Sequence, residues 1–187
     1  TKASCTPGSS LSASTTAMMA LGDALALSVM KSRNFTADDF ALYHPAGQLG
    51  RKLSRVVDAM SFKKGENLPL ASDKLTVGAM LTEVSKIKRR SGAIILIDES
   101  GKMSGFFSDG DLRRLIMRDP VNALSIPISE VMTKNAKRIR YDELASEAMG
   151  LMRAHRFDEL PVVDEDDRPV GLIDVQDLVV LKMFDVS

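Results

Sequence analysis

One cysteine, two histidines and no tryptophan are present among 187 residues. The lone Cys5 excludes an intrachain disulfide framework, and two His with one Cys leave a structural zinc site short of ligands. No metal is expected. An excess of either charge is also absent, since 25 Lys+Arg balance 25 Asp+Glu. The chain therefore has no net pull toward nucleic acid or an anionic membrane, and neither is expected as a partner. Its longest wholly apolar run, Ala93-Ile94-Ile95-Leu96-Ile97, is far short of the roughly 18 residues of a membrane span. The N-terminal stretch shows no basic region followed by an apolar segment and cleavage site. Hydrophobic residues at 44% with aromatics at 5% describe an aliphatic, methionine-filled core. The expectation is a reduced, cytoplasmic globular protein.

Three segments follow along the chain. Residues 1–13 are rich in Ser, Thr, Gly and Pro and read as loop. Residues 14–33 place Met18, Leu21, Leu25 and Val29 along one helical face. Ser14-Thr15-Thr16 supplies an N-cap, and Lys31 and Arg33 suit the negative end of the dipole. Thr36 and Asp39 are spaced as a capping box for a second, short helix. His44-Pro45-Ala46-Gly47-Gln48-Leu49-Gly50-Arg51 is a turn-rich break. Two helices without a strand cannot enclose a core. Residues 1–55 are thus expected to pack on something outside this chain, which reads as a fragment.

From about residue 56 the sequence repeats itself. Val56-Val57-Asp58-Ala59-Met60 corresponds to Ile128-Ser129-Glu130-Val131-Met132, and Val77-Gly78-Ala79-Met80 to the stretch ending at Met149. Ile94–Asp98 corresponds to Leu160–Asp164, and Gly105–Leu112 to Gly171–Leu178. Length differences between these matches fall in loops, where insertions are cheap. Each copy reads helix, short strand, polar turn, strand, helix. The helices are expected at Thr76 to about Arg89 and Glu143 to about Arg153. The strands are expected at Ala93–Asp98 and Leu160–Asp164. The turns are Asp98–Lys102 and Asp164–Arg168, and the closing helices begin near Asp109 and Val175. Either copy alone would be marginal; together they can bury their sheet faces.

These four marks, twice in the same order, resemble the tandem domains first named for cystathionine β-synthase (CBS domains). The resemblance implies an α/β (α+β) fold with a first CBS domain at 56–122 and a second at 123–187. In that family the paired clefts hold adenine nucleotides or other phosphorylated ligands, and ribose binding uses Ser/Thr followed three residues later by Asp. Ser108 and Asp111 match this pattern, a hydroxyl and a carboxylate able to meet a diol. The second copy departs, with Asp174 before Asp177. Asp174 and Asp177 are the matching candidate ligand residues of the second cleft, although two carboxylates disfavour a nearby phosphate, which counts against a nucleotide there. Helix capping accounts for the same residue types at all four positions without any ligand.

The N-terminal motifs, including Gly22-Asp23-Ala24-Leu25-Ala26, Phe35–Ala41 and His44–Arg51, resemble the end of a sugar isomerase (SIS) domain. With the CBS pair they resemble the arabinose-5-phosphate isomerase family. Ala46 stands where the family's pattern has glycine. The resemblance implies interconversion of D-ribulose 5-phosphate and D-arabinose 5-phosphate for Kdo and lipopolysaccharide biosynthesis, with no required cofactor. It further implies a sugar-phosphate substrate and a homo-oligomer: a tetramer at full length, a dimer for this fragment. Moving a carbonyl between C1 and C2 needs a group that exchanges protons near neutrality, and an imidazole does so. His44 matches the family's active-site histidine, although a pre-proline turn residue is the plainer reading of that residue alone. The remaining machinery would precede residue 1, so the fragment alone is expected to be inactive. An adenine nucleotide, or the end-product CMP-Kdo, is the ligand expected at the CBS clefts.

Two other functions fit the repeat: a stand-alone CBS nucleotide sensor, and a structural pair that only promotes assembly. The basic run Lys86–Arg90 reads as a solvated helix end, and His155 as a helix-terminal residue. The methionines Met18, Met19, Met30, Met60 and Met80 read as core filling.

Overall fold

The computed structural model describes residues 13–36, 39, 54–89 and 91–180. His44 and Cys5 lie outside the described residues. The chain divides into two compact units, one ending at Pro45 and the other beginning at Ala46.

In the first unit, α1 (Ala13–Ser32) is a single helix. It begins before Ser14, so Ser14-Thr15-Thr16 forms its first turn rather than its cap. Asn34 closes it in the left-handed conformation at φ 50°. There the Asn34 N–H donates to Lys31 and the Phe35 N–H to Met30, a pattern that satisfies the last carbonyls. The expected apolar face is present but exposed: Met18 is 74% exposed, and Leu21, Leu25 and Val29 each at least half. Met18 and Met19 are therefore not core residues among the described ones, whereas Met60 and Met80 are buried. The Thr36/Asp39 capping box forms as expected. The Asp39 carboxylate accepts from the Thr36 N–H, and the Thr36 hydroxyl accepts from the Asp39 N–H.

The second unit is the repeat. Its first copy holds α2 (Val56–Ala59), β1 (Phe62–Lys63), β2 (Leu70–Ser72), α3 (Val77–Val84), β3 (Ala93–Ile97), β4 (Met103–Ser108) and α4 (Asp109–Arg118). After a 3₁₀ turn at Ala123–Ser125, the second copy holds α5 (Ile128–Val131), β5 (Ile139–Arg140), α6 (Ala145–His155), β6 (Glu159–Val163), β7 (Pro169–Asp174) and α7 (Val175–Val180). Mixed sheets of order β2-β3-β4 and β1-β7-β6-β5 result. In each, the incoming strand runs parallel and the hairpin antiparallel, with a register break at Leu96/Ile97 or Val162/Val163.

Both hairpin turns are built alike. Asp98 Oδ1 accepts from the Ser100 and Lys102 N–H groups, and Asp164 Oδ1 from those of Asp166 and Arg168. The closing helices start at the expected residues. The helix expected to reach Arg89 instead ends at Val84. Ser85 donates its hydroxyl to the Thr82 carbonyl, and Lys86 and Ile87 make short turn bonds to Glu83 and Val84. Side-chain competition for carbonyls ends the helix there. Consequently the basic run lies beyond the helix, and the Arg89 guanidinium sits 4.6 Å over the buried Phe62 ring. The helix expected over Glu143–Arg153 is shifted by two residues. It starts where the Glu147 carboxylate accepts the Leu144 N–H and stops at Arg156, whose φ is 56°. His155 ends it as expected, stacked on Phe157.

The opening segments are exchanged between copies. Val56 and Met60 join the core of Ile139, Leu160, Ile173 and Leu178, while Ile128 joins that of Val77, Ile94, Leu96 and Phe107. Backbone bonds repeat the exchange. Val56 N–H donates to Glu143 and Ala145 N–H to Ser54, just as Val77 N–H donates to Ile126 and Ile128 N–H to Leu75. β1 pairs with β7, and Thr133 bridges Phe106 of β4. Phe62, Leu68, Ile95, Met103, Val163 and Leu172 fill the junction between the sheets. Each fully buried aliphatic or aromatic side chain there stabilises the pair by about 1.5–3 kcal/mol, so neither copy retains a complete core alone.

Two glycines permit this exchange. A Cβ at Gly105 would overlap the Met132 sulfur and lie 2.9 Å from its Cγ; one at Gly171 would overlap the Met60 sulfur and lie 2.9 Å from the Phe62 carbonyl oxygen. The methionine opening each copy thus occupies the space left by the glycine on the other copy's returning strand.

Candidate ligand clefts of the two copies

β4 delivers Ser108 to the start of α4, where Ser108 and Asp111 bond each other rather than pointing away. Asp111 Oδ2 accepts from the Ser108 N–H at 2.9 Å and from its hydroxyl at 2.7 Å, and the Ser108 oxygen accepts from the Asp111 N–H at 3.2 Å. The other carboxylate oxygen, Oδ1, holds Arg114 Nη2 at 2.6 Å. Burial pushes the Asp111 carboxyl up, but the Ser108 bonds and the Arg114 charge outweigh it and hold the group below its usual range. The pair is a helix capping box, and its Asp111 also lines a cavity of about 410 Å³. Arg114, Leu115, Arg118, Glu130 and Val131 complete the lining. That volume lies within the ~300–1,000 Å³ typical of small-molecule sites.

At the corresponding place in the second copy, Asp177 is 9% exposed and turned inward. Its Oδ2 accepts from the Asp174 N–H at 3.0 Å and from the Ser61 N–H at 3.2 Å. Ser61 follows Met60, so the carboxylate ties α7 to the exchanged opening segment. Asp174 accepts from the Gln176 N–H. The two carboxylates are therefore engaged by backbone donors. A second cavity, of about 390 Å³, lies elsewhere on this copy. Val57, Met60, Tyr141 and Val170 provide its apolar walls, and the hairpin residues Asp164, Glu165 and Asp166 its rim.

For three groups that matter, the sequence motifs show no role. Ser61 reaches Asp177 across 116 positions, and no local spacing predicts that. Arg114 stands three residues after Asp111, an ordinary helix pairing whose role depends on the cavity beside it. Glu159 opens β6, and its Oε1 accepts from the Gly92 N–H at 2.8 Å and the Ser91 hydroxyl at 3.0 Å, linking the two copies. Burial pushes its carboxyl up, and the nearby Asp174 and Asp109 charges add to that, against the lowering by the Gly92 and Ser91 bonds. Among the described residues no cluster of His, Cys, Asp and Glu is arranged to hold a metal ion, and no helix is long and apolar enough to cross a membrane.

Two sheets with exchanged openings and a Ser-x-x-Asp at a strand-to-helix joint are similar to the arrangement of CBS-domain proteins. The CBS domain matches the chain directly over residues 128–182. A CBS-domain containing protein from Agrobacterium tumefaciens shares the fold at a TM-score of 0.59, with 25% identity over 70% of this chain and 94% of that one. CBSX2, solved in complex with AMP, matches at a TM-score of 0.57 and 22% identity, covering 70% of this chain and 96% of that one. Over nearly its whole length, moreover, the chain is similar to arabinose 5-phosphate isomerases. The Pseudomonas aeruginosa enzyme KdsD is 42% identical over 166 residues, which is 88% of this chain and 49% of that protein. The Salmonella typhi enzyme is 40% identical over 95% of this chain and 52% of its own length. The chain spans about half the length of the curated relatives it matches.

Proposed function

We propose that the chain is the CBS-bearing half of an aldose–ketose isomerase that interconverts D-ribulose 5-phosphate and D-arabinose 5-phosphate, its CBS pair acting as a regulatory and assembly module. The observation that carries this reading is the 40–42% identity to enzymes of that name over 88–95% of the chain. The match extends well beyond the repeat, into the segment holding Gly22–Ala26 and His44–Arg51, which a free-standing CBS pair does not need. In this reading His44 exchanges a proton with the substrate during enediol formation or ring opening. The phosphate anchor and the other acid–base groups belong to the half of the relatives' length that this chain does not match. The active form is a homo-oligomer, a tetramer when whole.

The first cleft, at Ser108 and Asp111, takes an adenine nucleotide or a nucleotide sugar such as CMP-Kdo, in keeping with AMP bound by CBSX2. The second copy takes none. Its Asp174 presents a carboxylate where the first has the Ser108 hydroxyl, and both Asp174 and Asp177 are held by backbone N–H groups.

An assay of the whole isomerase containing this chain tests the reading. Arabinose 5-phosphate turnover is expected, falling about 100-fold or more in His44→Ala, whereas the 187-residue chain alone is expected to be inactive. A whole protein indifferent to pentose phosphates would leave the nucleotide sensor as the function, the alternative favoured by the AMP complex of a structural neighbour.

A further inference from the structure

The cavity beside Asp111 carries two guanidinium groups that the capping box does not need. Arg114 and Arg118 lie four residues apart on α4 and line the same space, so they are neighbours on one helix face. The Arg114 side chain is 73% exposed yet folded back onto Asp111. It passes over Gly110, where a Cβ would meet Nη1 at 3.5 Å. Arg118 makes no ion pair within 4 Å among the described residues, acting only at longer range on its neighbour Asp119. In the second copy the residue matching Arg114 is Val180, and Phe184 matches Arg118 in sequence.

Asp111 already holds three donors. Oδ2 takes both donors of Ser108, and Oδ1 takes Arg114. Oδ2 is filled by Ser108, so a ribose diol is left with Oδ1, and both of its hydroxyls can bond there only by displacing Arg114. The Ser108 contacts are part of the helix cap, whereas Arg114 is mostly in solvent and holds on by a single exposed pairing, of the kind worth little. Arg114 is the donor that can leave. Once displaced, its guanidinium stays beside Arg118, and the two together offer a fork geometry suited to a phosphate.

We propose that Arg114 and Arg118 form the phosphate seat of the first cleft, with Arg114 serving as an exchangeable counter-ion that leaves Asp111 for the ligand's phosphate when the ribose diol arrives. The inference rests on the nucleotide-binding reading above and deepens it. The ligand is a nucleoside whose phosphate lies within reach of its own ribose hydroxyls, and the unphosphorylated nucleoside competes poorly because it must displace Arg114 with nothing to receive it. Glu130, on the same cavity wall, disfavours a phosphate placed toward α5 and so directs it to the arginine side.

Calorimetric titration of the chain with adenosine and with AMP, repeated on Arg114→Gln and Arg118→Gln, tests this. AMP is expected to bind the parent about tenfold or more tightly than adenosine, and each substitution to remove about tenfold of AMP affinity. Arg114→Gln is expected to leave adenosine binding equal or tighter, because the competitor for Asp111 is gone. Both side chains are exposed, so the melting temperature should hold and report that the variants are folded. AMP binding more tightly than adenosine but untouched by either substitution would overturn the seat while leaving the nucleotide reading intact. Equal affinity for AMP and adenosine in the parent would do the same. Absence of binding by both ligands at millimolar concentration would overturn the two together.

Discussion

The two copies are nearly the same in everything that packs and differ where a ligand would sit. Both turn their hairpins on an Asp whose Oδ1 accepts two backbone N–H groups. Both leave a glycine on the returning strand for the other copy's methionine. Both insert an opening helix into the other's core. At the closing helix they part. The first copy has Ser108 and Asp111 with Arg114 and Arg118 beside a cavity; the second has Asp174, an inward Asp177 and Val180. Packing constrains both copies because each completes the other. A cleft's chemistry carries no such mutual constraint, so one can bind while the other serves as its structural counterpart.

The largest expected effect breaks the symmetry of the glycine–methionine contacts. Gly171→Val meets a backbone carbonyl, that of Phe62, as well as the Met60 side chain, and should cost about 3 kcal/mol. Gly105→Val meets only the flexible Met132 among its nearest atoms and should cost about 1–2 kcal/mol. Chemical denaturation of both variants checks the order, and equal losses would contradict it. Next come the capping carboxylates. Asp177→Ala strands two backbone donors in a buried site and should cost about 2–3 kcal/mol, against about 1 kcal/mol for Asp111→Ala at a more accessible cap. A thermal melt showing the reverse order would mean the second copy's carboxylates are not structural.

Titration gives a third contrast. Asp111 is held below its usual range, so its stabilisation is present above about pH 3.8 and is lost as pH falls through the lower folded value. Glu159 is raised above 4.5, so its contribution is greatest below that pH and declines as pH rises through the folded value. Glu159→Gln keeps an acceptor for Ser91 and Gly92 while removing the charge near Asp174 and Asp109. The variant should therefore melt higher than the parent at pH 7 and no higher at pH 4. A lower melting temperature at pH 7 would show that the carboxylate charge helps rather than hinders the link between copies. The smallest effect is expected at the exposed Arg138–Asp167 pair, 2.9 Å apart, where Arg138→Ala should cost no more than about 0.5 kcal/mol.

The hairpins and the strand-to-helix joints were legible in the sequence because they are local. An Asp opening a polar turn, and a Ser or Asp closing an apolar run, act on neighbours two to four residues away. The capping role of Ser108 and Asp111 is legible for the same reason, whereas their candidacy as ligand residues comes from resemblance to the CBS family. The four-residue helices α2 and α5 and the two-residue strands β1 and β5 were not, since nothing so short carries a period. The exchange of opening segments was hidden because it consists of long-range contacts: Met60 with Gly171, Met132 with Gly105, Ser61 with Asp177. The repeated Met and Gly were visible as motifs, but their meaning lay in the pairing. Glu159 shows no motif at all. Helix α3 was overestimated because Lys86–Arg89 continue a plausible helical spacing, and the Ser85 hydroxyl bond that ends it is a local competition the spacing does not register. His44 was reached through resemblance to the isomerases and lies outside the described residues, so mutagenesis decides its role.

An amide chemical-shift titration of the chain with AMP addresses the asymmetry most directly, because the backbone amides of the two closing helices report separately. One AMP per chain is expected, with shifts concentrated from Ser108 to Arg118 and Asp174 to Val180 left in place. Equal shifts at both helices, or shifts confined to the second, would contradict it.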